Sequence, residues 1–95
     1  FLRWAVEDYA CIIFNLRVMH TDRGIAQARE QFRMLIDQAL SFGGRYYLTY
    51  HRWARKDQVL SAYPQIPEFL EQKLDFDPDE TFQSDWYRHY RALLC

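Results

Sequence analysis

One segment concentrates side chains able to do chemistry: Gly43-Gly44-Arg45-Tyr46-Tyr47-Leu48-Thr49-Tyr50-His51-Arg52-Trp53. Three phenols, an imidazole, an indole and two guanidiniums fall within eleven residues. Polar tips on flat rings suit a planar ligand, held by stacking and hydrogen bonds. Rings are also ordinary strand formers, and the same residues would serve to pad a small sheet against helices. Other chemistries find little support. His20, His51 and His89 are more than thirty residues apart, and no HExxH or paired CxxC accompanies them, so no metal is expected. No GxSxG elbow, GxGxxG or GxxxxGK[ST] loop occurs. The carboxylates between Asp75 and Asp85 gather round Pro78, as in a solvated turn, without EF-hand spacing.

The elements that must position this segment can be read from periodicity. Over residues 8–20, Ala10, Ile12, Phe14, Leu16 and Val18 share one parity, while Tyr9, Cys11, Ile13, Asn15, Arg17 and Met19 make a mixed one. That pattern predicts a strand with one buried face. Thr21 or Asp22 caps a long helix over 22–42, with Ile25, Ala28, Phe32, Leu35, Ile36 and Ala39 as its apolar stripe and Gly43-Gly44 as its stop. Residues 45–52 read as a second strand. Short helices follow around Val59, Leu60 and Tyr63, then around Phe69, Leu70 and Leu74, and last after Ser84, where Trp86, Tyr90 and Leu93 share a side. The expected fold is α+β: a small sheet with a long helix on it and short C-terminal helices, in one domain spanning 1–95.

Composition narrows the function classes. The 95 residues are 49% hydrophobic with a formal net charge of -1, so no global basic excess points to nucleic acid. Charge is uneven: residues 45–56 carry +4, and residues 68–85 carry -6. No run is long enough to span a bilayer. Cys11 and Cys95 make no disulfide framework, and a cytoplasmic, reducing setting is expected. The chain opens Phe1-Leu2-Arg3-Trp4 with no initiator Met and no leader, so an internal or C-terminal piece of a longer protein is expected.

The Gly43–Trp53 run resembles the C-terminal region of FAD-linked oxidases of the vanillyl-alcohol oxidase type. In the aldonolactone and alditol oxidase branch, a Gly-rich helix end precedes a Pro-His-Trp-Gly-Lys strand. In the decaprenylphosphoryl-ribose oxidase branch, GGR precedes a Tyr and, three residues later, a Lys. Both align on Tyr47 and Tyr50. Ala62-Tyr63-Pro64, Phe69, Lys73, Asp77-Pro78, Phe82 and Ser84-Asp85 are similar to the same family's ending. The match covers about residues 43–90.

The resemblance implies the C-terminal cap or substrate portion of an FAD-dependent oxidoreductase. Such an enzyme oxidises an alcohol of sugar, polyol or lactone type by hydride transfer to the flavin. An N-terminal FAD-binding domain of the same protein would hold the cofactor, and the isolated chain would be inactive. Tyr47, Tyr50 and His51 would be the catalytic residues, with Tyr47, Tyr50 and Arg52 facing the FAD. Tyr50 stands where the family has Lys, so either His51 or Arg52 supplies the positive charge or the register shifts locally. Period two sets Tyr47 and Tyr50 on opposite faces, and a bulge at Thr49 would bring both to one ligand. Self-association through aromatic surface left uncovered is expected. The other reading is a small α+β interaction module with an aromatic docking strand.

Overall fold

The structure is a computed structural model that describes Ala5 and residues 7–95. Phe1–Trp4, which carried the reading of a missing start, lie outside these residues. Four helices follow in order: α1 Asp22–Ser41, α2 Lys56–Ala62, α3 Ile66–Phe76 and α4 Asp85–Leu94. Among the described residues there is no strand, so the expected α+β fold with its sheet is corrected to an all-helical one.

Both expected strands fail for a definable reason. A strand exists only as half of a ladder, and neither segment finds the other half. Residues 8–19 form no regular element and are mostly exposed, and among the described residues 10–18 make no backbone hydrogen bond. Residues 45–52 are interrupted by a turn over Leu48–Tyr50. Side chains instead of a neighbouring strand satisfy that backbone. The Tyr63 hydroxyl donates to the Tyr46 carbonyl, and the Tyr90 hydroxyl donates to the Leu48 carbonyl at 3.5 Å.

Helix α1 forms as its caps dictate. Thr21 Oγ1 accepts the Gly24 N–H at 3.0 Å, satisfying one of the free donors of the first turn. At the other end Gly43 adopts φ +71°, and the N–H groups of Gly43 and Gly44 return to Leu40 and Ala39. That left-handed residue closes the helix, and glycine takes it without strain. Ala28 and Ile36 of the apolar stripe are buried, and Phe32, Leu35 and Ala39 are half-buried.

The core gathers Ile36 from α1, Leu48 and Ala54 from the connecting segment, and Val59, Ala62, Tyr63, Ile66 and Tyr90 from the later helices and turns. Gln58 is the polar residue within it, at 1% exposure. Its amide nitrogen donates to the Arg33 carbonyl (2.8 Å) and to Asp37 Oδ1 (2.7 Å), and its amide oxygen accepts the Arg55 N–H (3.0 Å). A buried amide is tolerable when satisfied this way, and these bonds fix α2 against α1.

The chain then turns at Asp77-Pro78. The Asp77 carboxylate receives Lys73 Nζ at 2.5 Å and the N–H groups of Thr81 and Phe82, each at 2.9 Å. Those donors favour the charged form and hold Asp77 down at about 2, the Lys73 hydrogen bond contributing most. Glu80 sits at φ +50°, and its carboxylate accepts from the Tyr87 hydroxyl and from Arg91. Ser84 Oγ caps α4 by accepting the Tyr87 N–H at 3.1 Å. Tyr90 of α4 is thereby delivered into the core, with Trp86 and Leu93 packed against it.

Candidate functional site

The segment between α1 and α2 is anchored at both ends. Tyr46 is held by Tyr63, and Trp53 gives its carbonyl to Arg33 Nε at 2.7 Å. Between these anchors the turn over Leu48–Tyr50 buries Leu48 and lifts its neighbours outward. The Tyr47 and Tyr50 rings meet edge to face with centroids 4.8 Å apart, and both stay exposed (55% and 83%). A full turn, not a strand bulge, thus brings the two phenols to one side.

His51 takes the other direction. Its ring lies 4.3 Å from Phe32 and stacks on Trp53 at 5.3 Å with a 26° tilt. Its Nδ1 is buried without a hydrogen-bond partner. Burial disfavours the imidazolium and lowers the His51 pKa. Arg52 points its charge at α4. Its field helps to lower His89, after burial, and also lowers Asp85, after the nearer Arg88. Among the described residues Arg52 forms no ion pair within 4.0 Å.

Beneath these groups the phenol of Tyr46 is buried beside Tyr90, and burial with that neighbour pushes its pKa far up. Tyr63 is pushed up to about 12 by burial, partly opposed by Arg45 above its ring. Neither phenol ionises near neutrality; the Tyr63 hydroxyl serves as a neutral donor to the Tyr46 carbonyl, while the Tyr46 hydroxyl is buried without a hydrogen-bond partner.

Thr49, Tyr50, His51, Arg52 and Trp53 line an open cleft of about 470 Å³, closed on its far side by Trp86 of α4. The cleft is about half open and more polar than apolar in its lining, so a small molecule in it would keep much of its surface in solvent. Of the residues expected to act, Tyr50, His51 and Arg52 share this cleft, and Tyr47 touches it through the Tyr50 ring. Trp86 was missed as a lining residue because its spacing with Tyr90 and Leu93 reads as a core stripe. In fact Trp86 serves both, packing on Tyr90 at 4.7 Å while facing the cleft. Its indole nitrogen is buried without a partner.

The donor set fits one edge of a flat, electron-accepting ring system. Tyr50, Trp53 and Trp86 offer ring surface, and Arg52 offers a fixed positive charge. It does not fit a pyrophosphate, because no Gly-rich loop opens a helix here. No group of three or more His, Cys, Asp or Glu able to hold a metal ion is found among the described residues. Nor is any helix long and apolar enough to cross a membrane. No protein-family model matches the chain, and no curated protein or solved structure is significantly similar to it.

Proposed function

We propose that the chain is the C-terminal, substrate-side portion of an FAD-dependent oxidoreductase that oxidises an alcohol of sugar, polyol or lactone type. One observation carries this reading: the turn at Leu48–Tyr50 sets Tyr50, His51 and Arg52 on a single open cleft walled by Trp53 and Trp86. When bound, FAD supplies the hydride acceptor. This chain's residues supply what surrounds that transfer. Tyr50 would donate a hydrogen bond to the bound ring system, and Arg52 would offset negative charge on it. His51, kept neutral by burial, orients the substrate hydroxyl without adding a second charge. Tyr47 braces the Tyr50 ring. The pyrophosphate is left to an N-terminal FAD-binding domain of the same cytoplasmic protein, so the chain alone is inactive.

The test is expression of the gene product that contains this chain. A yellow protein whose flavin is bleached anaerobically by a sugar or polyol supports the reading. A colourless protein free of FAD sinks it. In that second case the exposed Tyr47–Tyr50 pair, with Phe42 at 86% exposure nearby in sequence, favours the other reading, a protein-interaction module.

A further inference from the structure

The cleft between the aromatic turn and α4 selects by charge, and that selectivity needs no cofactor. Thr49, Tyr50, His51, Arg52, Trp53 and Trp86 line it, with no carboxylate among them. Burial lowers the His51 pKa, so at neutral pH Arg52 is the one lining residue with a full charge. Among the described residues its guanidinium forms no ion pair within 4.0 Å. Its field reaches Asp85, but that carboxylate is held by Arg88 at 2.6 Å and lies outside the lining. The Thr49 and Tyr50 hydroxyls are further donors on the same lining. The rings are braced before any ligand arrives. His51 stacks on Trp53 at 5.3 Å, Tyr90 packs on Trp86 at 4.7 Å, and Tyr47 meets Tyr50 at 4.8 Å. Trp86 Nε1 is buried, so that indole meets a ligand through ring carbon and leaves polar recognition to Arg52 and the two hydroxyls.

We propose that this cleft binds a flat aromatic ring bearing a single carboxylate, the ring against Tyr50, Trp53 and Trp86 and the carboxylate on the Arg52 guanidinium. The planar fork of arginine matches a carboxylate with two parallel hydrogen bonds, and an unpaired fork gives up no existing partner to form them. One fixed positive charge matches one negative charge. A phosphate monoester carries roughly -1.5 to -2 near neutrality, and no second cation or Gly-rich loop lines the cleft to receive it. A neutral ring of the same shape gains the stacking and leaves the charge unused. Because the cleft is about half open, the carboxylate stays partly hydrated and the affinity is modest. The inference shares this cleft with the flavin reading but does not depend on the cofactor.

The experiment uses the intact 95-residue chain, with naphthoate as probe and naphthamide as its neutral counterpart. Titration followed by backbone-amide and indole nuclear magnetic resonance shifts should place naphthoate on residues 49–53 and Trp86, with a Kd of about 1 mM or below. Naphthamide should bind about tenfold more weakly. Arg52→Gln should bring naphthoate to the level of the amide. Lys56→Gln removes an exposed cation of the same basic run outside the lining and should leave naphthoate binding unchanged. Helix content by circular dichroism checks that each variant is folded. Equal binding of acid and amide overturns the proposal. So does undiminished naphthoate binding by Arg52→Gln, or shifts that fall outside the lining. Naphthyl phosphate binding several-fold tighter than naphthoate also overturns it, and gives the cleft to a phosphate. The flavin reading fails separately: a colourless gene product whose chain still tells acid from amide loses the cofactor and keeps this site.

Discussion

The Tyr47 and Tyr50 rings touch edge to face at 4.8 Å, although three residues apart in an extended chain they would point to opposite sides. The turn between them reverses that geometry. It makes Tyr50 a braced donor rather than a loose surface phenol. Under the proposed flavin reading, Tyr50→Phe should slow flavin reduction about tenfold and change FAD affinity less than twofold, by stopped-flow and by titration. An unchanged reduction rate would remove Tyr50 from the site.

Gln58 is the hinge pin between α1 and α2. Gln58→Leu fills the same space but abandons the Arg33 carbonyl, the Asp37 carboxylate and the Arg55 N–H. Urea unfolding should register a loss of about 2–4 kcal/mol. A loss under 0.5 kcal/mol would mean that water replaces the amide without penalty.

Asp77 ties stability to acid. Its carboxylate titrates at about 2 in the folded chain, below the ordinary value of 3.8. The unfolded chain therefore binds more protons between these values. The stabilisation is complete above about pH 4 and disappears as the pH falls toward 2. Asp77→Asn should lower Tm at neutral pH and flatten the acid limb between pH 4 and 2. A parallel acid limb in the variant would contradict this role.

His51 carries the opposite kind of cost. Its Nδ1 is buried without a partner, and its ring is wedged between Phe32 and Trp53. His51→Phe keeps the ring contacts and removes the unsatisfied nitrogen, and should stabilise by about 1 kcal/mol at pH 7. Because burial lowers the His51 pKa, the unfolded chain binds more protons just below 6.5. Native stability should therefore fall as pH drops below that value, and less steeply in the variant. A less stable variant at pH 7 would show that the nitrogen is satisfied in solution.

Legibility in the sequence followed local chemistry. Thr21 and Gly43-Gly44 carry cap and stop signals that act within a few residues, and α1 ends where they put it. Ser84 does the same for α4. The Asp77-Pro78 turn was equally visible. The segment at 45–52 was misread because tyrosine and threonine favour strands by fitting a pleated surface, and none is supplied here. Two tyrosine hydroxyls from later in the chain take over the work of a ladder. Residues 8–20 have a strand's alternation, but alternation cannot supply a neighbour. In the site, Tyr50, His51 and Arg52 stood out as a run, while Trp86 was hidden inside a helical stripe.

Tyr90 reaches back 42 residues to Leu48 and is fully buried there. During synthesis α1, α2 and α3 emerge well before that ring does. Until it arrives, Leu48 and the underside of the aromatic turn have no lid, so the cleft cannot be assembled before the chain has been made past Tyr90. A nonsense change between Asp85 and Tyr90 would then act as a folding defect, read out as lost protein.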